Sequence, residues 1–219
     1  MFSNREVGWI LPRYCGVCGE REFGGLTQGH CLLCAMQWPD VRGPAGAALV
    51  RARMQVPWAS AGFRVPDGPT LRRRLYGLKY GGERRWGLEA GRWVAEGNSW
   101  PFGSDVVLIP IPLHWRRQWQ RGYNQADWIA MGMAEVWGVA VARGAIRRRQ
   151  HATSLTAAGR SGRQRALRET YEASQRRMLG CRFVLVDDVM TSGSTFRAAA
   201  SVLEEAGGVW QGIAVWGLA

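Results

Sequence analysis

Two adjacent carboxylates, Asp187 and Asp188, follow the apolar run Phe183-Val-Leu-Val186 and precede a loop of small, mostly hydroxylated residues, Thr191-Ser192-Gly193-Ser194-Thr195. This order predicts a buried strand ending in the acids and a loop that opens a helix, the place where open α/β sheets bind ligands. Residues this small let backbone N–H groups and Oγ atoms gather around one phosphate at the positive end of a helix. Carboxylates repel phosphate. Their natural partners are sugar hydroxyls, which donate hydrogen bonds to them, and a divalent cation.

A second stretch supplies positive charge. The segment Asp105-Val-Val-Leu-Ile-Pro-Ile-Pro112 reads as a buried parallel strand, and the loop after it carries Arg116, Arg117 and Arg121. Arg116 and Arg117 are placed where a pyrophosphate cradle belongs, with Lys79 arriving from a separate helix; each of them alone is more often a solvated surface charge. His114 and His151 carry no role that can be assigned from their surroundings.

Four of the five cysteines form two knuckles, Cys15-Gly-Val-Cys18 and Cys31-Leu-Leu-Cys34. Paired knuckles bring four thiolates to the corners of a tetrahedron, so the spacing predicts a structural zinc site. The other reading is a pair of redox or disulfide-forming CxxC motifs, which a reducing compartment disfavours. His30 stands close enough to replace one thiolate. Cys181 stands alone before an apolar strand and reads as inert core.

Around these residues the elements are readable from periodicity. Thr70 to Ala95 contains two helices broken at Gly81-Gly82, the first with Leu71, Leu75 and Leu78 on one face. A further helix from about Gly122 carries Ala126, Ile129, Ala130, Met133 and Trp137 as one stripe. Val139-Ala-Val-Ala142 and Arg182-Phe-Val-Leu-Val186 read as strands. A last helix carrying Phe196, Ala199, Ala200 and Leu203 stops at Gly207-Gly208, before a final strand over residues 209–216. Strands alternating with helices predict an open α/β parallel sheet with helices on both faces. The stretch from Asp40 to Pro69 is rich in Gly, Pro and Ala and shows little periodicity. The expected division is a four-cysteine zinc module over residues 1–45 and an α/β domain over 46–219.

The chain has 219 residues, 47% of them apolar, which excludes general disorder. No apolar run is long enough for a transmembrane helix, and the start MFSNREVGWILPRYC lacks the pattern of a secretory signal, so a cytoplasmic location is expected. The net charge of +12 comes from 28 arginines and the single Lys79 against 17 acids, and implies anionic partners, phosphate esters or nucleic acid. Most of the 12 tryptophans read as core or half-buried surface rather than base-stacking platforms.

The strand, acid pair and Thr/Ser/Gly loop resemble the phosphoribosyl-pyrophosphate signature of type I phosphoribosyltransferases; the alternative is an ordinary strand–loop–helix of a receiver-like or Rossmann domain. The paired CxxC knuckles, LRRRLYGLKYGGERR, LIPIPLHWRRQWQRGYNQADWIA and DDVMTSGST, taken in that order, are similar to the ComF/GntX family, bacterial proteins linked to natural transformation and use of external DNA. Arg121-Gly-Tyr-Asn-Gln125 is the second specific mark. One departure is Ala166, which stands where that family shows Asn between the matched Arg163 and Tyr171.

The resemblance implies a type I phosphoribosyltransferase-like fold, with Asp187 and Asp188 as the catalytic pair on the ribose hydroxyls and the 191–195 loop on the 5′-phosphate. It further implies Mg²⁺ and phosphoribosyl pyrophosphate as ligands. The first expected function is transfer of a phosphoribosyl group with pyrophosphate release, a glycosyltransferase reaction tied to DNA uptake. The alternative is a competence accessory protein that binds single-stranded DNA or a phosphoribosyl ligand without turnover. Neither the acceptor nor the oligomeric state is legible.

Overall fold

The structure, a computed structural model, describes residues 40–64, 84–113, 119, 122–149 and 168–219, together with the backbone of 13–14 and 21–22. The four zinc-module cysteines, Lys79, Arg116 and Arg117 lie outside the described residues, as do Arg121, Arg163, His114 and His151.

In chain order, β1 (Arg13–Tyr14) pairs antiparallel with β2 (Arg21–Glu22). Helix α1 (Pro44–Met54) and strand β3 (Trp58–Arg64) follow, then α2 (Arg84–Glu96), β4 (Val106–Pro110) and α3 (Gln125–Trp137). A two-stranded ribbon of β5 (Ile146–Arg148) and β6 (Tyr171–Ala173) leads through the short α4 (Gln175–Met178) into β7 (Arg182–Met190). The chain closes with α5 (Ser194–Glu205) and β8 (Val209–Leu218).

Strands β3, β8, β7 and β4 form one parallel sheet in that order. Its strands are apolar on consecutive positions because both faces are covered. Phe183 and Leu185 of β7, with Ile213 and Val215 of β8, pack against Val50 of α1 and Phe196 and Leu203 of α5. Val184 and Val186, with Ala214 and Trp216, turn the other way onto Trp93 of α2 and Ile129 and Met133 of α3. The expected α/β sheet with helices on both faces is therefore observed. Helices α2 and α3 lie unusually close: a Cβ at Gly91 would stand 2.0 Å from the carbonyl oxygen of Ile129. Glycine there permits backbone to meet backbone.

Two stretches depart from expectation. The Gly/Pro/Ala-rich stretch after Asp40 holds α1 and the edge strand β3, and Asp40 itself bridges Phe63. Pro44 at the first turn suits a helix start, since its missing N–H has no partner to lose there. The strand expected at Val139-Ala-Val-Ala142 is reduced to a single parallel bridge between Leu108 and Val141, because the chain turns away at Arg143-Gly144 toward β5. Among the described residues, no helix is long and apolar enough to cross a membrane.

Candidate ligand site at the carboxyl end of the sheet

Strand β7 does not stop at the acids. It runs through them to Met190, because β8 offers it partners there: Val215 opposite Asp187, Gly217 opposite Val189 and Leu218 opposite Met190. The two carboxylates are half-buried, and each turns back on the chain. Asp187 Oδ1 accepts the N–H of Asp188 at 2.8 Å, and Asp188 Oδ1 accepts the N–H of Val189 at 2.7 Å. Each carboxylate is thereby fixed through one oxygen.

The loop that follows is short. Thr191 and Ser192 are exposed, and Gly193, at φ +73°, is the residue before α5. Gly193 brings no side chain to cap this helix, and Ser192 Oγ accepts the Ser194 amide at 3.4 Å, at the positive end of the dipole. The Oγ atoms of Ser192 and Ser194 lie 3.0 Å apart. Two hydroxyls thus lie within one turn of the helix start.

Sequence reading missed the two arginines that hold this loop. Arg197 donates to the carbonyl of Ser192 at 3.1 Å and to that of Arg53 at 2.6 Å. Arg53 donates to the carbonyl of Thr191 at 3.4 Å and to the main-chain oxygen of Ala219, whose own amide donates to Met190. Their donors satisfy loop carbonyls. Arg197 could have been noticed three residues into the last helix; Arg53 could not, because its helix gave no periodic signal.

Strand β4 arrives beside the acids. Pro110 pairs with Val186, and the amide of Ile111 donates to the carbonyl of Val186 at 2.8 Å, so the chain leaves β4 next to Asp187. The start of α3 is tied to the same place. Asn124 donates to the carbonyl of Ile111 and to Asp127 Oδ1, both at 3.0 Å. Asn124 and Gln125 of the Arg121–Gln125 mark are buried; for Asn124 the structure shows a role in positioning this strand end. Burial pushes the Asp127 carboxyl above its ordinary range, against the pull of the Arg143 charge and the Asn124 hydrogen bond.

Other singled-out residues sit elsewhere. Trp58, Trp100 and Trp137 cluster with Phe102, the two indoles of Trp100 and Trp137 stacked at 4.9 Å. Trp58 begins β3, so this cluster lies at the amino end of the sheet, away from the acids. Trp93 and Trp216 are core. Cys181 is half-buried with a thiol pushed up by burial, which keeps it protonated and unreactive.

No family model matches the chain. It is 32% identical over 115 residues to Competence protein F of Haemophilus influenzae, covering 52% of this chain and 49% of that protein. It is 35% identical over 97 residues to the DNA utilization protein YhgH of Salmonella typhi, covering 44% and 42%. Two solved structures are similar in fold, the allosteric regulatory enzyme of purine biosynthesis and the glutamine phosphoribosylpyrophosphate amidotransferase from B. subtilis complexed with ADP and GMP. Both have TM-scores of 0.43 over 62% of this chain and 26% of theirs, at 22% and 20% identity. The chain spans about half the length of the curated relatives it matches, and those relatives bear out the ComF-type resemblance carried by its motifs.

Proposed function

We propose that the protein binds phosphoribosyl pyrophosphate with Mg²⁺ at the carboxyl end of β7 and transfers the phosphoribosyl group, with pyrophosphate release, in a process linked to the handling of external DNA. The observation that carries this reading is the continuity of acid pair, hydroxyl loop and helix start: Asp187 and Asp188, Thr191 to Gly193, then α5. A sugar phosphate is the ligand that needs both halves, hydroxyls for the carboxylates and a phosphate for the amides.

In the proposed reaction the bond from C1 to the pyrophosphate oxygen breaks, and the oxygen keeps the electron pair. The acceptor forms the new bond to C1, and its proton passes to a base that the described residues do not identify. Asp187 and Asp188 hold the ribose hydroxyls and, by their charge, favour the positive character that grows at C1. The loop amides fix the 5′-phosphate, and Arg116 and Arg117 meet the negative charge on the leaving group. Among the described residues no three His, Cys, Asp or Glu side chains converge on one point. A Mg²⁺ here would be held by one or two carboxylates, Asp187 and Asp188, completed by ligand oxygens, and would supply charge neutralisation on pyrophosphate. Isothermal titration of phosphoribosyl pyrophosphate, with Mg²⁺ and with EDTA, tests the reading. Binding should require the cation, and absence of binding in both would reject it.

A second reading, contact with single-stranded DNA, is favoured by one cleft of about 570 Å³ lined by Arg147, Arg176, Arg177, Ser174 and Glu172. Arg177 is oriented by donating to the carbonyl of Arg143 at 2.8 Å. Three arginines against one glutamate suit a phosphodiester backbone, and the matched proteins named for competence and DNA utilization point the same way. Fluorescence anisotropy with a labelled oligonucleotide should show binding that falls steeply as salt rises. No binding at micromolar protein and low salt removes this reading.

A further inference from the structure

The ribbon of β5 and β6 carries its charges on one face. Its register sets Arg147 opposite Glu172, and Arg149 lies two residues on, where its amide still donates to the Thr170 carbonyl at 2.7 Å. All three side chains are exposed, whereas Ile146 and Tyr171, at alternate positions, are buried. A cleft opens on either side of this face. One is the arginine-lined cleft described above; the other, of about 530 Å³, reaches from Arg149 to the carboxyl end of α5, where Arg168 pairs with Glu205. Glu172 and Ala173 line both, so the two clefts share a wall. Among the described residues Arg147 pairs with no acid, and the ion partner of Arg149 is Glu172, at 4.0 Å and exposed on both sides. An exposed pair this loose contributes little, so exchanging the glutamate for another anion costs little.

We propose that a single-stranded nucleic acid crosses the ribbon from one cleft into the other, with Arg147 and Arg149 each meeting a backbone phosphate, and that Glu172 limits its affinity by holding Arg149. This inference rests on the second reading above and adds to it the second cleft and a residue that opposes binding. Residues two apart on a strand stand about 6.5 Å apart, close to the spacing of successive phosphates along one strand. A polyanion can occupy both sides of the shared wall at once, which a free phosphate cannot. The carboxylate of Glu172 accepts what a phosphate would accept from Arg149 and repels the phosphate itself. The path is also distinct from the acid-pair site. The second cleft touches the far end of α5, a helix of 12 residues and therefore about 18 Å long, whereas the 191–195 loop lies at its start.

The test follows a labelled single-stranded oligonucleotide by fluorescence anisotropy over a salt series, with the full chain and its variants, and with thermal melts in parallel. Arg147→Gln should weaken binding and reduce the steepness of log K against log salt by about 0.7, one phosphate contact on a single strand. Glu172→Gln should bind about threefold more tightly, with the steepness raised by about 0.7 as Arg149 is released. Arg51→Gln removes the same charge from an exposed position on α1 that lines neither cleft, and should leave the steepness unchanged. If Glu172→Gln melts early, Arg149→Gln decides, and it should behave as Arg147→Gln does. Wild-type binding with the same steepness in every variant leaves the second reading standing and rejects this inference, as does displacement of the oligonucleotide by inorganic phosphate at constant ionic strength or tighter binding of the matching duplex. If the wild type binds no oligonucleotide, the second reading falls and this inference with it.

Discussion

A Cβ on Gly193 would stand 2.0 Å from the sulfur of Met54, so the loop before α5 and helix α1 meet at a point where no side chain fits. Gly193 also holds φ +73°, a conformation that costs an L-residue about 1–2 kcal/mol. Methionine is flexible enough to move aside, whereas the backbone angle cannot be relieved without moving the loop.

Gly193→Ala should therefore lose about 1–2 kcal/mol of stability in urea denaturation. The double variant with Met54→Ala should not recover that part. Gly193→Val should be worse, since a β-branched residue is least at home at positive φ. If Gly193→Ala is as stable as wild type, the loop does not hold the conformation described.

Asp127 gives a pH dependence whose sign is fixed. Its carboxyl is raised above the ordinary 3.8 by burial, so the folded chain holds that proton more tightly than the unfolded chain. Its contribution is favourable in acid and is lost as pH rises from the unfolded value through the folded one. Asp127→Asn should be more stable than wild type at neutral pH, with the difference closing toward about pH 3. A difference that is independent of pH would contradict the burial.

The four cysteines should bind about one zinc per chain, a closed site that holds the amino-terminal module together. Elemental analysis of purified protein measures it directly. Cys31→Ser should lose the metal while the α/β domain stays folded, and a zinc-free wild type would refute the site.

Arg116→Ala and Arg117→Ala should each weaken phosphoribosyl pyrophosphate about tenfold more than ribose 5-phosphate, because only the former carries the leaving group they are proposed to meet. Competition titrations with the two ligands separate the cases. Equal weakening of both places the arginines elsewhere.

How much of each element was legible in the sequence depends on how much of its signal is local. Strand β7 was legible because four consecutive apolar residues between turn signals fit little besides a buried strand. Its extension to Met190 was not, since the register with β8 that sustains it is a tertiary fact. Helix α1 and strand β3 escaped because small residues dominate both, as in Trp58-Ala-Ser-Ala-Gly-Phe-Arg64; the core's bulk comes from neighbours such as Trp216, whose ring lies 4.5 Å from Phe63. The three-residue strands of the β5–β6 ribbon are too short for periodicity to show. Tyr171 could thus be matched as an aromatic, but its pairing with Arg148 is one that no local pattern encodes.

The central claim is most directly tested by isothermal titration of phosphoribosyl pyrophosphate with Mg²⁺ into wild type and into the double variant Asp187→Asn with Asp188→Asn. Asparagine keeps an oxygen to accept the amides of Asp188 and Val189, so the local backbone is preserved and only the charges are removed. The account predicts Mg²⁺-dependent binding to wild type and a loss of about 2–4 kcal/mol, roughly thirty- to a thousandfold, in the variant. Equal affinity in the two proteins would contradict it.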